Sequence, residues 1–252
     1  RLASDFAMFH IAANLPETEK KCLNIAMVYN PDEEIGSIYS KEITDRIGCQ
    51  ADHIFVMESA GKNGTRHCFA RKGSLTYDIE FQGQAAHAGF MFEVENASAV
   101  LEMGHYIVEL MSLADREKDT TVNVGIANGG TARNVVADHA KISVEMRFRD
   151  DSERIRLKEY VNKITEGQPF VPGVKTTITM QKETPPFIKT EEAKKYIERV
   201  RKIAEEHGIP FEEKDRGGLS DANHLSRCGK AIVMDGMGPH GANHHSEKEY
   251  GY

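Results

Sequence analysis

Ser74-Leu-Thr-Tyr-Asp-Ile-Glu-Phe81 alternates apolar and polar side chains with a period of two. Successive strand residues point to opposite faces, so this spacing predicts a half-exposed antiparallel strand. Working outward, apolar residues recur at helical spacing from Asn96 to Leu113, and strand-like runs occupy Thr121 to Ala127 and Lys141 to Phe148. A second helix is expected from Ser152 to Thr165 and a last strand from Val174 to Gln181. The order is βαββαβ, the ferredoxin-like arrangement of a four-stranded antiparallel sheet with two helices on one face.

The flanking segments follow a different rhythm. Phe6, Phe9 and Ile11 to Leu15 predict a helix, and Cys22-Leu-Asn-Ile-Ala-Met-Val-Tyr29 reads as a buried strand. Ser37 to Ile47 reads as a helix and Ala51 to Met57 as a second apolar strand. Beyond Thr184-Pro-Pro186, read as a hinge, we expect a helix from Glu191 to His207 and a short strand near Phe211 to Lys214. A loop and helix around Gly217 to Ser226 and a strand from Lys230 to Met234 complete the pattern. Removing residues 71–183 would rejoin one α/β domain, so the smaller domain reads as an insertion between residues 1–70 and 184–252.

Composition narrows the classes. The 252 residues are 40% apolar, which suits a packed core. A formal net charge of -7 without a concentrated basic patch argues against a nucleic-acid or anionic-membrane surface. Nucleic-acid binding by the ferredoxin-like domain is disfavoured too, because its central strands lack interleaved basic and aromatic residues. Cys22, Cys49, Cys68 and Cys228 lack paired short spacing, so neither a thiolate zinc knuckle nor a disulfide framework is expected, and a cytoplasmic location is the default. Arg1-Leu2-Ala3 opens without an initiator methionine, and we expect the chain to be part of a longer protein.

The segment Asn30-Pro-Asp-Glu-Glu-Ile-Gly-Ser37 puts three carboxylates in a turn where α/β proteins place chemistry. Like carboxylates resist joint ionisation when partly buried, and a metal ion is the simplest neighbour that relieves them. A solvated acidic turn leading into a helix is the plain alternative. Glu58 ends the next strand, and His240, His244 and His245 fall in one glycine-containing loop. Oxygen and imidazole donors together suit a zinc-type ion, although loop histidines also serve as ordinary surface residues.

Seven ordered motifs, Asp32-Glu-Glu-Ile-Gly-Ser37, Met57-Glu58, Gly83-Gln-Ala-Ala-His-Ala-Gly89, Gly130-Thr-Ala-Arg-Asn134, Glu145-Met-Arg147, Gly217-Gly-Leu-Ser-Asp221 and His245-Ser-Glu-Lys-Glu-Tyr250, together resemble the dinuclear zinc exopeptidase and deacylase family. That family includes glutamate carboxypeptidase, aminoacylase, acetylornithine deacetylase and succinyl-diaminopimelate desuccinylase. The resemblance implies a zinc-exopeptidase-like α/β catalytic domain, the inserted ferredoxin-like domain acting as a dimerisation lid, and a homodimer. It also implies two zinc ions per subunit, for which cobalt or manganese could substitute.

By position, Glu33 resembles the general base that takes a proton from a zinc-bridging water. Glu34 resembles a ligand of one zinc together with His245, which alone stands directly before Ser-Glu-Lys-Glu-Tyr, and Glu58 resembles a ligand of the other. His87 resembles a histidine that reaches into the partner subunit's site to stabilise an oxyanion, with a hydrogen-bonded turn histidine as the alternative. Asn134 resembles a residue that crosses the dimer to contact substrate. Arg147 resembles the guanidinium that grips a substrate carboxylate, against an ordinary surface arginine. Gly217, Gly218 and Ser220 resemble the loop whose backbone amides receive the substrate's acid end, with Leu219 standing where relatives commonly carry threonine.

The family's His-x-Asp and Asp-x-Lys-Gly-Gly motifs, which supply the remaining histidine ligand and the bridging aspartate, have no counterpart here. Asp5 is the nearest acid, but Phe6-Ala7 follow it and an exposed helix acid is its simpler role. The resulting expectation is a zinc-dependent hydrolase of an amide bond next to a free carboxylate, poorly active as this fragment. The alternative is a non-catalytic homologue or a truncated dimerisation module.

Overall fold

The computed structural model describes residues 2–61, 64–243 and 246–251. Two compact units emerge, one of Arg1–Arg71 with Phe187–Tyr252 and one of Lys72–Pro186.

The first unit opens with α1 (Leu2–Asn14) and, after Pro16, the short α2 (Glu17–Lys20). Cys22 to Tyr29 forms no strand, and Leu23, Ile25, Val28 and Tyr29 are exposed. This corrects the expected buried strand. An apolar run supplies side chains to bury, but a strand also needs a neighbour to receive its N–H and C=O groups, and none of the described strands pairs with it. After a 3₁₀ turn at Glu33–Ile35 come α3 (Lys41–Gly48), β1 (His53–Val56) and β2 (Arg66–His67).

The second unit runs β3 (Gly73–Gln82), β4 (Ala86–His87), α4 (Ala99–Met111), β5 (Thr121–Gly129), β6 (Val135–Val136), β7 (His139–Phe148), α5 (Asp151–Glu166) and β8 (Lys175–Thr184). Both long helices start at side-chain caps. Ser98 Oγ accepts from the Leu101 amide, and Asp150 Oδ1 from the Glu153 amide. The sheet is antiparallel throughout, in the order β5-β7-β3-β8. Leu75, Tyr77, Ile79 and Phe81 of β3 share the buried face with Ala140, Ile142, Val144, Met146 and Phe148 of β7. Tyr106 and Leu110 of α4 and Leu157 and Val161 of α5 close over that face. Burying each large apolar side chain contributes about 1.5–3 kcal/mol, and a one-residue slip would turn the whole set outward, so the alternation also sets the register.

The chain then re-enters the first unit with α6 (Glu191–Glu206), β9 (Glu212–Glu213), α7 (Ala222–Leu225) and β10 (Ile232–Asp235). β10 lies parallel to β1 and β9 parallel to β2, while Gly241–Ala242 pairs with Tyr250–Gly251. Phe69, Phe187, Ile197, Ala222, Val233 and Met234 form this unit's core. Glu58 follows the carboxyl end of β1, and Asp235 closes the adjacent β10, so two acids stand where parallel strands finish. Among the described residues no helix is long and apolar enough to cross a membrane.

Candidate active site

The acidic turn is held by its own polar side chains. Asn30 Oδ1 accepts from the Asp32 amide at 3.0 Å and from Ser40 Oγ at 2.8 Å. Asp32 is buried, and its Oδ2 accepts from the Tyr39 amide at 2.7 Å. Hydrogen bonds from Ser40 and Tyr39 hold its carboxyl below the usual carboxylate range. Asp32 therefore acts as an anchor from which Glu33 and Glu34 project. Gly36 ends the turn at φ 92°, and Ser37 follows at φ 56°, a region L-residues rarely occupy. Ser37 is buried there, donating from Oγ to Asp221 Oδ1 at 2.5 Å.

Glu33 is half-buried, and its pKa is pushed up to about 7 by burial, with further upward pushes from Glu58, Asp221 and Glu34 against a downward pull from Arg71. Burial also raises Glu58, reinforced by Asp235 and opposed by Arg71. The fold thus brings Glu33, Glu34 and Glu58 into one electrostatic neighbourhood from two separated stretches of chain. Carboxylates that repel one another, half-buried at Glu33 and Glu58 and exposed at Glu34, are a donor set a divalent cation would neutralise, and Glu34 and Glu58 fit as oxygen ligands in that respect. Among the described residues no group of three or more metal-ligating side chains is assembled. His244 and His245 lie outside the described residues, as does the side chain of Asp5. His240 sits against Gly64, where an added Cβ would stand 3.0 Å from its Nδ1.

Behind the Gly217–Ser220 loop lies a buried ion pair. Arg71 Nε donates to Asp235 Oδ2 at 2.5 Å, and both side chains are almost fully enclosed. Arg71 Nη1 donates to the carbonyls of Gly218 at 3.0 Å and Leu219 at 3.3 Å. Ser220 Oγ donates to Asp235 Oδ2 at 2.8 Å, and the Ser220 amide donates to Asn223 Oδ1 at 3.0 Å. Arg71 Nη2 is buried with no hydrogen-bond partner among the described residues.

In the other unit, His87 and Asn134 are brought together although 47 positions separate them in sequence. β4 pairs with β6, placing His87 opposite Val135, and the Ala88 amide donates to the Asn134 carbonyl at 2.9 Å. His87 is exposed, and its Nδ1 accepts from the Gly89 amide at 3.1 Å. That bond leaves Nε2 as the protonated nitrogen of the neutral ring, a donor. Arg147 lies on the polar face of β7, where its Nη2 donates to Glu145 Oε1 at 2.8 Å.

Reading the sequence alone passed over Arg71, Asp235, Ser37, Asp221 and His224 as site residues. Asp235 carried the clearest signal, an acid directly after the apolar run Ile232-Val-Met234. His224 bridges two acids, Nδ1 to Asp45 Oδ1 at 2.5 Å and Nε2 to Asp221 Oδ1 at 3.0 Å. No local spacing announces that contact.

The homologues of this chain are M20 peptidases and deacylases. Residues 69–169 match the family described as Peptidase dimerisation domain, M20_dimer. The chain is 23% identical over 226 residues to carboxypeptidase G2 of Pseudomonas sp. (strain RS-16), covering 89% of this chain and 54% of that protein. It is 28% identical over 149 residues to acetylornithine deacetylase of Myxococcus xanthus, covering 55% and 37%. Among solved structures, aminopeptidase PepT from Bacillus cereus ATCC 10987 superposes with a TM-score of 0.70 at 25% identity, covering 86% of this chain and 57% of that one. The chain spans about half the length of the curated relatives it matches. Its mixed α/β architecture with a dimerisation domain is that of M20 peptidase structures.

Proposed function

We propose that this chain is the greater part of a cytoplasmic metallohydrolase that cleaves an amide bond adjacent to a free carboxylate, as a carboxypeptidase or N-acyl amino acid deacylase. The observation that carries the proposal is Glu33, a carboxyl poised near neutral pH by burial and by the charges of Glu58, Asp221 and Glu34. A group with that pKa can take a proton from water and return it to a leaving amine at physiological pH. Relatives named carboxypeptidase and deacetylase support amide hydrolysis as the reaction class.

In this reading residues 1–70 and 184–252 form the catalytic domain and 71–183 the lid. Glu34, Glu58 and His245 would hold the metal, two zinc ions per subunit with cobalt or manganese able to substitute. The ions would supply Lewis acidity, polarising the scissile carbonyl and acidifying the attacking water. Glu33 moves the proton. The Gly217–Ser220 loop receives the substrate's acid end through its main chain, Ser220 itself being committed to Asn223 and Asp235, and Arg147 offers a guanidinium to a carboxylate. His87 and Asn134 act on the site of the partner subunit in a homodimer, with His87 Nε2 donating to the developing oxyanion.

The deciding experiment assays the full-length protein, with and without a chelator, on N-acyl amino acids, glutamate-terminated peptides and the C-terminally amidated version of each. Chelator-sensitive hydrolysis of the free acids alone is expected. Equal turnover of the amidated compounds would refute the requirement for a carboxylate.

A further inference from the structure

Two consecutive carbonyls, Gly218 and Leu219, face the guanidinium of Arg71. Described peptide bonds are all trans, so the C=O and N–H of one peptide unit point in opposite directions. With the Gly218 carbonyl turned inward, the Leu219 N–H is turned away from Arg71, on the outer side of the loop. The next amide, that of Ser220, is already taken by Asn223 Oδ1. No acceptor is recorded for the Leu219 N–H among the described residues.

Both glycines of the loop have room for a side chain. A Cβ added to Gly217 meets nothing within 4 Å among the described residues, and at Gly218 the nearest atom is Arg71 Nη1 at 3.7 Å. Neither glycine has a positive φ. Packing and backbone strain therefore do not explain two adjacent glycines here, whereas close approach of a ligand to the backbone does. Position 219 is leucine, so polar recognition at that point falls to the main-chain amide.

We propose that Arg71 is the positioning residue of the acid-binding loop: its buried guanidinium, fixed by Asp235, turns the Gly218–Leu219 peptide so that the Leu219 N–H donates to the carboxylate of an N-acyl amino acid. This deepens, and rests on, the reading of Gly217–Ser220 as the acid-binding segment. Asp235 is held in turn by Ser220 Oγ and the Gly236 amide, so the loop and its anchor form one network. A hydrogen bond to a charged acceptor contributes about 1.5–3 kcal/mol, so misdirecting this amide should weaken binding of the acid roughly tenfold to a hundredfold.

The test titrates the full-length protein, labelled with ¹⁵N-leucine, with hippurate and with hippuramide, its uncharged counterpart. In the wild type, hippurate shifts the Leu219 amide resonance and hippuramide does not. Arg71→Lys keeps the charge opposite Asp235 but cannot span Asp235 and both carbonyls, so hippurate affinity should fall at least tenfold while the weak binding of hippuramide stays. If Arg71→Lys does not fold, the neutral pair Arg71→Gln with Asp235→Asn removes both charges together and should give the same loss. A Leu219 response to hippurate that survives these changes within twofold would overturn the role of Arg71 and leave the acid-binding reading standing. Hippurate that binds without shifting Leu219 in the wild type would overturn both.

Discussion

Ser37 Oγ donates to Asp221 Oδ1 at 2.5 Å, joining the acidic turn to a loop 184 residues further along the chain. Asp221 Oδ2 accepts in addition from Asn30 Nδ2 at 2.5 Å. One carboxylate therefore fixes both shoulders of the turn that presents Glu33 and Glu34. Asp221→Asn would set an amide donor against a donor, at a cost of about 1–3 kcal/mol, and Ser37→Ala about 1 kcal/mol. Because the two share one bond, urea denaturation of the double variant should show a loss smaller than the sum.

His224 carries a pH dependence. Burial would lower its pKa, but hydrogen bonds to Asp221 and Asp45 outweigh that and raise it above the ordinary 6.5. The imidazolium between two carboxylates stabilises the fold fully below the unfolded pKa, and the contribution is lost as pH rises through the folded one. The stability difference between wild type and His224→Asn, measured from about pH 6 to pH 9, should shrink steadily. A constant difference would mean that folding leaves the His224 pKa where it is in the unfolded chain.

Glu153 titrates in the opposite sense. Its side chain is 3% exposed and accepts from Arg156 Nη2 at 2.6 Å, Lys118 Nζ at 2.8 Å and Thr120 Oγ1 at 2.7 Å. The Arg156 hydrogen bond leads in bringing its pKa down to about 2. A depressed carboxyl stabilises the fold above its unfolded pKa, here by roughly 3 kcal/mol at most, and the gain is lost as pH falls from about 5 through about 2. Glu153→Gln should flatten the acid limb of the unfolding curve of the second unit, read by hydrogen exchange in α5 and β7.

On the proposed reading Glu33→Gln keeps the fold and its metal but loses roughly 10²–10⁴ in kcat, because an amide cannot take the proton. Glu34→Gln should instead lose metal by elemental analysis. Near wild-type kcat in Glu33→Gln would remove the base assignment.

Glu33→Gln and His87→Ala homodimers should each be nearly inactive in the full-length protein if His87 serves the neighbouring subunit. After subunit exchange, about half the dimers are mixed and each has one intact site, so about a quarter of wild-type activity should return. Confirmed exchange without recovered activity would place His87 outside the partner's site.

Much of the second unit was legible because its information is local. Leu75, Tyr77, Ile79 and Phe81 alternate with polar neighbours, and α4 and α5 repeat apolar residues at helical spacing, so period alone separates strand from helix. The same rule misread Cys22 to Tyr29, since an apolar run states that something should be buried but not what would pair with it. Glu33 and Glu58 were visible as acids at the ends of apolar runs; the raised pKa of each depends on neighbours that only folding supplies. Arg71 with Asp235, and Ser37 with Asp221 and His224, were settled by tertiary structure alone. Hydrogen bonds and ion pairs act over a few ångströms of space whatever the distance along the chain, so no periodicity records them.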